Sequence, residues 1–118
     1  MSDTIKKLSD DLKKFALERD WEQFHTPKNL SMALIAESAE LVEHFQWLTA
    51  EESYNVKDEK LKDIGYEMAD IFIYLLRISE QLNIDLARVT REKININETR
   101  FPKTEKNEQN HKDKKYKK

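Results

Sequence analysis

The 118-residue chain has no cysteine, a single glycine and two prolines. Missing thiols exclude a disulfide framework, a thiolate metal site and a cysteine nucleophile. Scarce Gly and Pro argue against sheets and their turns, and abundant Leu, Ile, Glu and Lys point to an all-α protein. Long apolar runs are missing too: the longest, Ile71 to Leu76, is far too short to span a bilayer. With no recognisable signal peptide, the sequence reads as cytoplasmic and free of membrane. A strong charge of one sign is also absent, since 21 Lys and Arg face 23 Asp and Glu for a net −2. That balance is uneven. Residues 103–118 hold seven Lys against three acids, a net +4, while residues 1–102 hold 14 basic and 20 acidic residues, a net −6. An acidic body does not suit a partner that is a nucleic acid polymer. The expected organisation is one domain over 1–102 and a disordered basic tail over 103–118.

What is present is helical periodicity. A first helix is expected from Ser2 or Thr4 to about Asp20, with Ile5, Leu8, Leu12, Phe15 and Ala16 on one face. Thr26-Pro27 is an N-cap and N1 pair, so a second helix should run from Pro27 to about Leu48. Thr49-Ala50-Glu51-Glu52 reads as a capping box that opens a short turn within a connector over 49–57. A third helix, about Asp58 to Gln81, is apolar nearly all round between Ile64 and Ile78, which in so small a domain predicts a subunit contact. Gly65 is expected to allow close helix approach. Asn83 and Asp85 are cap candidates for a very short turn, and a fourth helix should stop before Pro102.

Two acidic pairs stand out, Glu37-Ser38-Ala39-Glu40 and Glu67-Met68-Ala69-Asp70. Residues three apart on a helix are neighbours, with Cβ atoms about 5–6 Å apart, so each pair forms a two-pronged claw. On a helical wheel Leu30, Leu34, Leu41 and Leu48 lie within about 60° of Glu37, and Ile64, Ile71, Ile78 and Leu82 surround Glu67. Both claws therefore start on an apolar stripe. Two carboxylates about 5 Å apart at an effective dielectric near 20 repel by roughly 3 kcal/mol. Four brought together call for a cation, and hard oxygen ligands point to Mg²⁺. Solvated acidic faces are the rule for an isolated pair in so charged a chain; two pairs on apolar stripes favour the metal. A di-iron carboxylate bundle expects Glu-x-x-His on two helices, but here Leu41 precedes His44 at that spacing.

Among the other candidates, Trp21 and Phe24 suit core anchors and ligand contacts equally, and His25 by spacing alone suits a structural histidine better than a catalytic one. Glu40, His44 and Trp47 share one edge of the second helix; Trp47 could stack on a flat ligand or close the core. Tyr74 lies one heptad after Glu67.

The series Arg19-Asp20-Trp21-Glu22-Gln23-Phe24-His25, Pro27-Lys28-Asn29-Leu30, the first claw running on to Phe45-Gln46-Trp47, the second claw with Tyr74, and Lys93 with Asn97 before Arg100-Phe101-Pro102 resembles the MazG-like all-α nucleoside triphosphate pyrophosphohydrolases, nearest the dCTP pyrophosphatase branch. The resemblance covers about residues 15–102. It implies four main helices assembled as a dimer or a dimer of dimers, and a Mg²⁺ site of Glu37, Glu40, Glu67 and Asp70. It further implies nucleoside contacts from Trp21, His25, Trp47 and Tyr74, and phosphate contacts from Lys93, Asn97 and Arg100. Many members of the wider family have an acid just before the first claw; here that residue is Ala36. The implied reaction cleaves dCTP or a modified dCTP to the monophosphate and pyrophosphate, with Glu37 or Glu40 taking a proton from water. The competing reading is a non-catalytic helical module whose acidic face pairs with a basic partner.

Overall fold

The computed structural model describes residues 3–103. Among them the secondary structure is entirely helical: α1 (Asp3–Glu18), α2 (Pro27–Glu43), α3 (Ala50–Ser53), α4 (Asp58–Gln81) and α5 (Leu86–Arg100). Helices α1 to α4 form one compact unit, residues 3–85 as described; α5 begins a second, from Leu86. Apart from residue 103, the basic tail lies outside the described residues.

The local chemistry of the chain explains most helix limits. Helix α1 ends in a Schellman motif: Asp20 adopts a left-handed φ of 56°, its N–H bonds the Leu17 carbonyl at 3.1 Å, and the Trp21 N–H bonds the Ala16 carbonyl at 2.9 Å. Thr26 caps α2 by accepting the Asn29 N–H at 3.1 Å, with Pro27 at N1. The capping box is formed in full, with Thr49 and Glu52 each bonding the other's backbone N–H at 3.1 and 2.9 Å. Helix α4 ends in a second Schellman motif, where Asn83 has a φ of 55° and the Ile84 N–H bonds the Ser79 carbonyl at 2.8 Å.

Two expectations need correction. Helix α2 stops at Glu43, five residues before Leu48, because His44 and Phe45 bond the carbonyls of Leu41 and Val42, three residues back, and tighten the chain out of α geometry. A helical wheel drawn through Trp47 therefore does not hold. Gly65 does not serve close approach within the chain, since a Cβ there would meet nothing within 4 Å.

Helix α4 is the spine of the first unit, packed along α2 and against α1. Among the described residues the buried hydrophobic side chains are Ala16, Leu30, Ile64 and Leu76, one or two from each of these three helices. Large apolar side chains remain outside: Met32, Ile35 and Val42 on α2, and Leu61, Met68, Phe72 and Leu75 on α4, with Ile35 71% exposed. No described helix is long and apolar enough to cross a membrane.

Candidate functional site

Packing α2 against α4 along their apolar stripes turns the two claws toward each other. One carboxylate oxygen from each of Glu37, Glu67 and Asp70 lies within 4.8 Å of the others. Glu40 is exposed beside them and touches Glu37 and Glu67 without joining the tight trio. The Oε2 atoms of Glu37 and Glu67 are both buried with no hydrogen-bond partner. A buried carboxylate oxygen without a donor is costly.

The titration of the cluster reports the same crowding. Glu37 is pushed up to about 8, first by its hydrogen bond to Glu67, then by burial and the neighbouring Glu40. Glu67 is pulled down by that bond with Glu37, but burial and its contact with Glu40 outweigh it, and the net direction is upward. Protonation of Glu37 relieves that crowding, and a bound cation would do the same. All the donors are hard oxygens, so the trio suits a hard divalent ion.

Asp70 also lines a cavity of about 260 Å³ between α1, the 19–26 loop and α4. Phe15, Trp21, His25 and Tyr74 wall it. Trp21 touches two of the other rings, Phe15 edge-on at 5.5 Å and His25 tilted at 5.8 Å between centroids. Burial, then the charges of Glu37 and Asp70, raise the Tyr74 phenol, which stays a hydrogen-bond donor. Burial, then the Arg77 charge, lowers His25 against the pull of Glu22, so its imidazole is neutral near pH 7. Its Nδ1 is buried without a partner.

Of the residues singled out in the sequence, Glu37, Glu67 and Asp70 meet, with Glu40 at their edge, and Trp21, His25 and Tyr74 meet around the adjoining cavity. Trp47 does not join them and does not close the core; it stands 85% exposed. Lys93, Asn97 and Arg100 recur at spacings of four and three on one exposed face of α5, in the second unit. Leu12, Phe15, Ile73 and Arg77 line the cavity but were not singled out. Arg77 could have been found by continuing the second claw one heptad from Asp70. Leu12 and Phe15 carry no such signal, because their stripe reads only as helix packing.

Comparison with known proteins bears on these residues. The MazG-like family model matches residues 32–117. The chain is 39% identical over 92 residues to dCTP pyrophosphatase 1 of Rattus norvegicus and 40% identical over 90 residues to that of Homo sapiens; each match covers 75% of this chain and 53% of the relative. The chain thus spans about half the length of these curated relatives. It also resembles the crystal structure of a pyrophosphatase from Archaeoglobus fulgidus with a TM-score of 0.81 and 34% identity, over 87% of this chain and 96% of that one.

Proposed function

Because this chain belongs to the MazG-like family, on the side of the dCTP pyrophosphatases, we propose that it is a Mg²⁺-dependent nucleoside triphosphate pyrophosphohydrolase acting on dCTP or a modified dCTP. The observation that carries the reading is the double place of Asp70, which belongs to the carboxylate trio and to the aromatic cavity alike. A ligand charged at one end and flat at the other is what such a junction suits.

In this reading Glu37, Glu67 and Asp70 hold the cation, with Glu40 completing the set. When bound, Mg²⁺ supplies neutralisation of the phosphate charge and acidifies a water. Glu37 or Glu40 takes the proton of the water that attacks in line. Hydrolysis between the α- and β-phosphates asks mainly for such positioning. Trp21, His25 and Tyr74 seat the base in the cavity, the aromatic faces by stacking and the Tyr74 hydroxyl and His25 ring by hydrogen bonds. Lys93, Asn97 and Arg100, on one exposed face of α5, are the residues the family resemblance gives to phosphate binding. The hydrolase domain runs over residues 1–102, and its setting is cytoplasmic.

Self-assembly, as a dimer or a dimer of dimers around the expected four main helices, follows from the second face of α4. Leu61, Met68, Phe72 and Leu75, with Met32, Ile35 and Val42 of α2, are large apolar side chains left exposed on a single chain, which supports their burial against a second copy. Trp47, 85% exposed on a single chain, contacts the base through that assembly.

The test is a screen of the common deoxynucleoside and ribonucleoside triphosphates with Mg²⁺ for pyrophosphate release. Turnover with dCTP foremost supports the reading. Equal kcat/KM for all bases would make it a general house-cleaning hydrolase, and no turnover of any would return the acidic face to protein recognition.

A further inference from the structure

Beneath the loop that carries Trp21 and His25 lies a buried ionic clasp. Arg77 is 2% exposed, and its guanidinium is charged at any working pH. One terminal nitrogen donates to Glu22 Oε1 at 2.5 Å and the other to Glu80 Oε1 at 2.6 Å. One turn on, Gln81 Nε2 donates to the His25 carbonyl at 2.9 Å and reaches Glu22 Oε2 at 3.4 Å. Glu22, inside the loop, is thus gripped by two side chains of α4, and His25 by one of the same two.

Stability alone does not explain this arrangement. Removing a guanidinium from water costs several kcal/mol, and a buried ion pair is often matched or bettered by an apolar replacement of similar volume. What an ion pair supplies that an apolar contact does not is register, because its donors and acceptors meet in only one geometry. Register is what the site needs here. Glu67, Asp70, Tyr74, Arg77 and Gln81 follow one another along α4 at spacings of three, four, three and four, so they form one stripe. Asp70 and Arg77 are seven residues apart, about 10 Å along the axis. The acidic trio and the clasp sit at the two ends of that stripe, and the cavity opens between them, with Asp70 and Arg77 both in its lining.

We propose that the Glu22–Arg77–Gln81 clasp is a positioning device: it sets the Trp21–His25 wall at a fixed distance from the Asp70–Tyr74 side, and so determines which base the cavity accepts. This rests on the cavity being the base seat. Arg77 is in the cavity lining, but its two terminal nitrogens are engaged by Glu80 and Glu22, so in this proposal it acts through Glu22 and the loop. With the clasp closed the cavity keeps one width and favours a one-ring base over a two-ring base. With it open the wall moves, and the preference fades while the carboxylates stay in place.

The experiment compares the full-length wild type with Arg77→Met, Arg77→Lys and Gln81→Met, using dCTP and dATP as probes. For Arg77→Met the KM for dCTP should rise about tenfold with kcat within about twofold, and the dCTP-over-dATP preference in kcat/KM should shrink about tenfold. Gln81→Met keeps the ion pair and should move both in the same direction by less, so it decides the matter if Arg77→Met fails to fold. Arg77→Lys should recover part of the preference. Amide exchange at Phe24 and His25, whose N–H groups bond the Trp21 carbonyl at 2.8 and 3.0 Å, should quicken in Arg77→Met and Gln81→Met. Unchanged selectivity in the folded variants, or a fall in kcat with KM and selectivity unmoved, overturns the proposal. A selective wild type with indifferent variants removes the clasp alone, whereas a wild type with no turnover or no base preference removes the base seat and the clasp with it.

Discussion

Replacing Glu37 by Gln should make the metal-free protein more stable from about pH 8 upward, where Glu37 ionises. The substitution conserves volume and there removes one charge from a trio whose oxygens lie within 4.8 Å of one another. At that separation and an effective dielectric near 20, each charge pair repels by about 3.5 kcal/mol before screening. The site is partly open to solvent, which reduces the realised gain to about 1 kcal/mol. For a chain of this size that corresponds to a melting temperature higher by roughly 3–5 °C. The pH dependence fixes the sign. Glu37 is pushed from an ordinary 4.5 up to about 8 in the folded chain, so between those values the folded state holds more proton than the unfolded one. Its contribution is complete below pH 4.5 and is lost as pH rises toward 8. The wild type without metal should therefore melt progressively lower across that window, and Glu37→Gln should flatten the decline. Millimolar Mg²⁺ should restore the wild type at pH 8, because a ligand of the folded state alone stabilises by mass action, and should do little for the variant. Scanning calorimetry from pH 5 to 9, with and without Mg²⁺, checks each step. If Glu37→Gln melts below the wild type at pH 8 without metal, the crowding argument is wrong.

Gly65→Ala should stabilise the isolated chain by about 0.5–1 kcal/mol, since a mid-helix Gly is replaced where a Cβ meets open space; a loss of stability that depends on protein concentration would instead place Gly65 in a subunit contact. Light scattering at micromolar concentration should give a mass above the 14.1 kDa of one chain, and a mass equal to one chain would contradict assembly through α2 and α4. Thr26→Ala removes the cap on the Asn29 N–H and should cost about 1 kcal/mol in denaturant unfolding; an unchanged midpoint would mean that Pro27 alone starts α2.

Features legible in the sequence were local or periodic. Thr26-Pro27, the Thr49–Glu52 box and Asn83 each announce a helix limit through their own hydrogen bonds, and each does so in the structure. Glu37 and Glu67 could be expected to meet because both interrupt an apolar stripe, and α2 and α4 pack by those stripes. The end of α2 was hidden because no Gly or Pro marks it; only the three-residue bonds of His44 and Phe45 do. Arg77 was hidden for a different reason. The heptad from Asp70 reaches the position of Arg77, but its role comes from Glu22, 55 residues away, and no periodicity joins those two. Phe15 likewise changes from a core residue to a cavity wall only once the loop after α1 folds back over it.

The central claim is that the carboxylate trio and the aromatic cavity work as one site for cleavage between the α- and β-phosphates. The most direct measurement is phosphorus NMR of dCTP incubated with Mg²⁺ and either the wild type or Asp70→Asn, the residue the two halves share. The account predicts dCMP and pyrophosphate from the wild type, and loss of that turnover in an Asp70→Asn chain that keeps its helicity. Release of dCDP and phosphate, or near-wild-type turnover by Asp70→Asn at limiting Mg²⁺, would contradict it.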